Sequence, residues 1–510
     1  MAELKDLERV VSESGGSRSS GEEVESEAGG KEDSEEKLGE QKEDEALIDQ
    51  DIVDWDGPED PENPMNWPKW RKVATVGIVS AITFVTPLTS SMLALGVPQL
   101  LHDFHSTNLQ LGSFVVSIYV LGFAFGPLVL APASELWGWQ IVYNISNLGF
   151  LLCTIGCAEA RRLGMLAAFR FLAGAFGAAP LTIGGGSVTD VFAVQERGVA
   201  MAILIFGPLL GPVIGPVGSG FLIEAAGWRS VFWVLAAASA VITLATFTFL
   251  NETYAPRILE RKAASLRKST GNPRRRSKLS SQLPQRQVFT RALVRPLKML
   301  FLSSIVLALS VFVAIVYGYL YLLLTTFPMV FQETYGFTAG TSGLTYIGFG
   351  VGSLVGLLTC GALSDRILNS RSAVSGETKP EYRLVPVVYA SVCTPIGLFW
   401  YGWSGHEKMH YLVPIAGTMF VGAGIIGSFI PVLTYMVDAF TVYAASALAA
   451  NTVLRSILGA VLPLAGPRMY GALGLGWGNS LLALIAVAMV PIPILFERYG
   501  ERIRKRWVQL

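Results

Sequence analysis

Charge is what this sequence is short of: only 15% of its 510 residues are charged, against 51% hydrophobic. The 78 charged residues are also unevenly placed, with 32 in 1–72, 15 in 251–300 and 7 in 497–510, which leaves 24 for the other 374 positions. So little charge cannot cover a water-facing surface, and those 374 residues belong in lipid. Cysteine is equally scarce. Cys153, Cys157, Cys360 and Cys393 all lie in apolar runs, which excludes a disulfide framework. Four histidines (His102, His105, His406, His410), with no Cys partner in sequence, give no metal-site pattern, and no metal or other cofactor is expected. Residues 1–50 lack Trp, Phe and Tyr altogether and are rich in Glu, Ser, Gly and Lys, so they cannot bury enough to repay ordering. They predict a disordered acidic tail, drawn to 1–68, with 23 acids and 6 bases. No basic segment followed by a short apolar one opens the chain, so the first spanning helix is expected to do the targeting. The net charge of zero therefore hides −17 in the tail and +17 in the rest, a split that points to no nucleic-acid partner.

What is present is apolar sequence in lengths of roughly 20 residues, the span of a bilayer. Such runs fall near 73–95, 111–133, 142–160, 163–188, 199–222, 230–250, 302–327, 341–363, 384–403, 411–435, 446–468 and 476–496. Twelve spans put both termini on one side. Lys and Arg then total 26 on the terminal side and 4 in the opposite loops (Arg161, Arg162, Arg229, Lys408), which makes the terminal side cytosolic. The expected layout is a tail over 1–68, a six-helix bundle over 73–250, a basic central loop over 251–300, a second bundle over 301–496 and a basic tail over 497–510.

The halves repeat. Gly122, Gly126, Ser134 and Glu135 recur 230 positions later as Gly352, Gly356, Ser364 and Asp365. Asp190, Phe192, Val194, Ala202, Gly211 and Val213 recur 248 later as Asp438, Phe440, Val442, Ala450, Gly459 and Val461. The change of offset fits a longer loop at 364–383. Two parallel six-helix halves about a pseudo-twofold axis are the architecture of a secondary transporter.

With these segments in view, the chain resembles the major facilitator superfamily, and more closely its fungal twelve-helix drug:proton antiporters. The carriers are DWDGPEDPENPMNWPKW before the first span, LGFAFGPLVLAPASELWG (121–138), RFLAGAFGAAPLTIGGGSVTDVF (170–192), GPLLGPVIGPVGSGFL (207–222), ETYAPRILERKAASLRK (252–268) and AASALAANTVLRSILGAVLPL (444–464). The resemblance covers about residue 53 to the end. It implies an all-α integral membrane protein of the major facilitator fold, with 12 transmembrane helices in two pseudo-symmetric six-helix bundles, and the motif of the fifth helix implies export. That motif also has its own physics. Gly207, Gly211 and Gly215 share one helix face and admit a neighbouring backbone, while Pro208, Pro212 and Pro216 each remove a backbone hydrogen bond and bend the helix.

The loop after the second helix departs from the family pattern. Glu135 and Gly138 fit, but Trp139 and Gln140 stand where relatives carry bases, so Arg197 is the nearest substitute partner for Glu135 in a cytosolic gate. Asp190, Asp365, Arg366 and Asp438 complete that expected gate. Inside the membrane, Arg170 lies roughly 10 Å deep at 1.5 Å per residue, and Arg455 about nine residues into its helix from the cytosolic side; both are expected to serve coupling or substrate, although Arg170 as a clamp on neighbouring carbonyls is the bland alternative. No Asp or Glu sits at mid-membrane. Asn147 and Asn451 are candidate cavity amides, and Tyr119, Tyr317, Tyr321, Tyr346 and Tyr435 candidate rings for an amphipathic substrate.

The functional expectation is a monomeric exporter in the lipid bilayer of the plasma membrane, with the vacuolar membrane as the alternative. It would move small amphipathic molecules by alternating access, driven by the proton gradient. The rival within the superfamily is an exporter of polyamines or another cationic nutrient, which would want cavity carboxylates that this sequence lacks. An enzyme or receptor would want a clustered His/Asp/Glu constellation or seven spans.

Overall fold

The computed structural model describes residues 51–193, 196–279, 284–377 and 379–508; the expected disorder of 1–50 lies outside these. Two units separate. In the smaller, formed by residues up to Asp54 together with Lys262–Lys278, Ile52–Val53 pairs in parallel with Arg276–Ser277. Asn272 Nδ2 donates to Asp51 Oδ1 (2.8 Å) and Lys278 Nζ to Asp54 Oδ2 (2.6 Å).

The larger unit holds the spanning helices, numbered here in chain order: α1 Lys69–Ser91, α2 Leu109–Trp137, α3 Trp139–Ala158, α4 Leu163–Val191, α5 Arg197–Ala226, α6 Trp228–Phe249, α7 Ser304–Met329, α8 Tyr346–Ser375, α9 Val385–His406 and α10 Leu412–Phe440. The last two, α11 and α12, run together as Ala444–Met489 through Gly474, whose φ of 70° and ψ of 174° are not helical. Glycine alone adopts that backbone cheaply. The chain doubles back there, because the Tyr470 hydroxyl reaches Asn479 Oδ1 at 3.1 Å, across nine residues that would span roughly 13 Å of straight helix. Among the described residues eleven helical stretches are long and apolar enough to span, and the break at Gly474 divides the last in two, matching the twelve expected runs.

Apolar side chains cover the outside. Val241, Leu244 and Phe247 of α6 are at least half exposed, which suits lipid and not water. By contrast α7 is buried along nearly its whole length against α11 and α12. The sequence repeat has a structural counterpart: a methyl at Gly122 or Gly126 would meet the backbone of α4 at Phe171 and Ala175, and one at Gly352 or Gly356 the backbone of α10 at Met419 and Ala423.

Outside the spans, three segments carry structure that hydropathy does not show. Residues 55–68 are built rather than disordered: Asp60 accepts from the backbone of Asp56 and Glu62, and Asn66 Nδ2 donates to the carbonyls of Pro58 and Asp60. Side-chain bonds of this local kind order a segment without a hydrophobic core. The central loop contains helices at Ala255–Thr270 and Gln285–Leu302. Residues after 496 continue the helix Pro491–Val508, tied back by Glu501 to Lys379 (2.8 Å) and Arg504 to Glu381 (3.1 Å).

Candidate substrate cavity between the helical halves

A partly open apolar cavity is lined by both halves. Pro87 of α1, Phe123 of α2, Leu181 of α4, and Pro208 and Pro212 of α5 contribute from the first half; Tyr317 of α7, Phe349 of α8, Phe429 of α10 and Arg455 of α11 are the aromatic and charged contributors from the second. Among the described residues Arg455 is its one charged wall residue, and no carboxylate lines it. Contacts between the halves seal the side away from the termini. There Gly340 N donates to Glu224 Oε2 (3.0 Å), Gly343 abuts the Pro216 carbonyl, and Gln110 Nε2 reaches the Leu464 carbonyl (3.4 Å).

The fifth helix divides its motif between two tasks. Gly207, Gly211 and Gly215 lie against the α1 backbone at Phe84 and Leu88, where any side chain would collide. Pro208 and Pro212, one residue on, face the cavity instead. Close packing and cavity wall are therefore adjacent faces of one rod, as a 100° step between neighbouring residues requires.

Only some of the expected polar residues reach this cavity. The Arg455 guanidinium carbon sits 5.1 Å from the Tyr317 ring centre and 5.0 Å from that of Phe429. Its Nε is enclosed without a hydrogen-bond partner. Tyr317 is the one expected tyrosine in the wall, and its ring stacks on Phe429 at 6.3 Å. Tyr321 lies behind it, sharing a hydrogen bond with Ser90 Oγ across the halves (2.9 Å).

Arg170 is a clamp. It is fully buried, and its Nη2 donates to the carbonyls of Ser90 (3.1 Å) and Val116 (3.2 Å) while Nη1 reaches that of Thr89 (3.5 Å). The rings of Tyr119 and Phe232 lie over its guanidinium. It thus ties α4 to α1 and α2 and is absent from the cavity wall. The remaining candidates are also internal. Tyr119 donates to the Thr86 carbonyl (2.8 Å), and Tyr346 to that of Leu324 (2.7 Å). Tyr435 is buried near Gly500. Asn147 donates to Thr246 (3.0 Å) and lines a separate small cavity within the first half, and Asn451 is buried against Ser310 (3.5 Å). Depth in a helix was legible in the sequence for all of these, but the direction each side chain points depends on helix rotation.

The Major Facilitator Superfamily profile matches residues 79–463. The chain belongs to that superfamily. It is a polytopic membrane transporter, not an enzyme. Among its relatives, it is 51% identical over 461 residues to the MFS-type transporter penM of Penicillium rubens, covering 90% of this chain and 91% of that one. It is 55% identical over 465 residues to the MFS-type transporter tndD of Aspergillus flavipes (90% and 86%), and 51% identical over 465 residues to the efflux pump radE of Floropilus chiversii (91% and 86%). In fold it is similar to the partially occluded, inward-open xylose transporter XylE of E. coli, with a TM-score of 0.63 at 14% identity, over 84% of this chain and 98% of that one.

In this major facilitator protein the two halves treat the face that carries the termini differently. In the second half Arg383 pairs with Asp438 and, through Nη1, with Asp365 (2.8 Å). Arg366, expected there, is exposed. Arg383 was missed because sequence shows only a loop cation; the signal was its place two residues before α9, where the equivalent position before α3 is Trp137. The first half has no such bridge among the described residues. Arg197 turns onto the carbonyls of Phe192 and Thr189 (2.8 Å each), leaving Glu135 without it. Glu252, also missed, accepts from the backbone of Trp139 (3.0 Å) and Gln140 (3.4 Å), capping the positive start of α3. Gly138 makes room for it: its φ is +94°, and a side chain there would strike the Glu252 carboxylate. Burial first, then the negative charges of Glu135, Asp190 and Glu252, push the phenol of Tyr254 up to about 12. Asp190 Oδ2 is enclosed without a partner.

Proposed function

We propose that this protein exports small amphipathic molecules by alternating access, in exchange for protons, across a plasma membrane with both termini cytosolic. The observation that carries the reading is the cavity: apolar on nearly every wall, bounded by both halves, and sealed on the side away from the termini. A transporter caught open toward the cytosol has that shape, and a mostly apolar wall selects by area and tolerates varied bodies. Its lack of carboxylates argues against polyamines. The relative named an efflux pump supports the direction of transport.

The test uses inside-out vesicles from yeast expressing the full chain, with the lumen made acid, and three dyes: cationic rhodamine 6G, neutral Nile red and anionic fluorescein. At least one dye should accumulate above vesicles without the protein, and a protonophore should abolish the difference. Failure of all three removes the export reading; accumulation indifferent to the protonophore removes proton coupling.

A further inference from the structure

Resting on that reading, we infer that the cavity is built for amphipathic anions: a flat apolar body carrying a carboxylate or an acidic phenol or enol, with Arg455 as the residue that receives the negative group. The first observation is a charge without a counter-charge. Among the described residues no salt bridge or hydrogen bond engages Arg455; its side chain is half-buried, and its Nε is shut off from solvent with no partner. A cation kept in that condition deep in a spanning helix is costly unless something repays it. The rings of Tyr317 and Phe429 offset part of the cost through their negative faces, but rings leave the N–H donors unspent. The second observation is the wall itself. Every other lining side chain except Tyr317 is apolar, so a ligand anion entering the cavity has one place to go.

The geometry extends to the shape of the ligand. Tyr317 and Phe429 are stacked at an interplanar angle of 19°, presenting a flat aromatic surface beside the guanidinium. An aromatic or conjugated body can lie along that surface while two N–H groups of the fork take a carboxylate, as planar recognition by Arg does elsewhere. The same wall rejects cations by leaving two like charges together in a medium of low polarity.

Fluorescein and rhodamine 6G share a flat tricyclic body and differ in charge, so they separate this claim from general apolar binding. With the purified full chain in detergent, fluorescence polarisation should give fluorescein an affinity on the order of tenfold or more above rhodamine 6G. Arg455→Gln should erase that preference by weakening fluorescein while leaving rhodamine 6G unchanged or tighter. Arg455→Lys should keep part of it, since charge remains and the fork does not. Phe429→Ala should weaken both dyes alike, reporting that both occupy this wall. Equal affinities in the wild type, a preference for rhodamine 6G, or unchanged fluorescein binding in Arg455→Gln would overturn the inference. Should Arg455→Gln fail to elute as a single species, the wild-type preference and Arg455→Lys still decide. Vesicles that export rhodamine 6G and not fluorescein would leave the export reading standing and sink this one.

Discussion

Arg170 carries the plainest lesson about single residues. A buried arginine with no carboxylate near it reads as an intramembrane functional charge, yet its two terminal nitrogens make three hydrogen bonds to backbone carbonyls of two neighbouring helices. Losing charged hydrogen bonds of this kind costs about 1.5–3 kcal/mol. Arg170→Ala should therefore lower the unfolding temperature of the detergent-solubilised protein, with Arg170→Lys intermediate because a point charge cannot span three carbonyls. Unchanged unfolding together with lost pH-gradient-driven transport would return Arg170 to a role in coupling. Arg455, the intramembrane arginine of the other half, sits on a helix that is not the repeat partner of α4 and points into the cavity instead. One guanidinium donates to three carbonyls through its terminal nitrogens, and the other faces an apolar wall.

For the elements, α5 is the informative case. Three glycines at every fourth position press on α1, and the prolines beside them shape the cavity. Gly211→Val would drive two methyl groups into the backbone around Phe84 and Leu88, an overpacking worth about 1–3 kcal/mol. Transport should fall sharply in correctly localised protein, while Leu244→Val on the exposed face of α6 should change little. A wild-type transport rate in Gly211→Val would mean that α5 and α1 are free to separate. The spacing that predicts this contact is visible in sequence because helix periodicity is local. Which neighbour receives the face was not visible.

Over the whole molecule, the prediction concerns sidedness. With 26 Lys and Arg on the face of the termini and 4 on the other, residues 251–300 should be cytosolic. Asn144 and Asn251, which spell glycosylation sequons, lie at that same face, near the start of α3 and after the end of α6. Neither should carry a glycan. A glycosidase-sensitive mobility shift lost in Asn144→Gln or Asn251→Gln would invert the arrangement. The twofold repeat is reproduced by the glycine contacts of α2 with α4 and of α8 with α10, but the charges at their ends are not symmetric. One half closes its acids around Arg383, and the other leaves Asp190 and Glu135 beside a helix cap.

The sequence by itself determined the membrane class, the twelve apolar lengths, the duplication and the small-residue face of α5. Each follows from composition or a short period, and both are local properties that lipid enforces on every span alike. Only the tertiary structure decided which polar residues share a space. Tyr317, Phe429 and Arg455 come from three helices, and Arg383, Asp365 and Asp438 from three separate segments, so their meeting depends on how each helix is rotated and tilted against its neighbours. The order of residues 55–68 and of the helix continuing past 496 was not legible for a related reason. Their order comes from Asp60 and Asn66 side chains bonding nearby backbone and from Arg504 and Glu501 reaching residues more than a hundred positions away, and neither kind of bond leaves a trace in hydropathy.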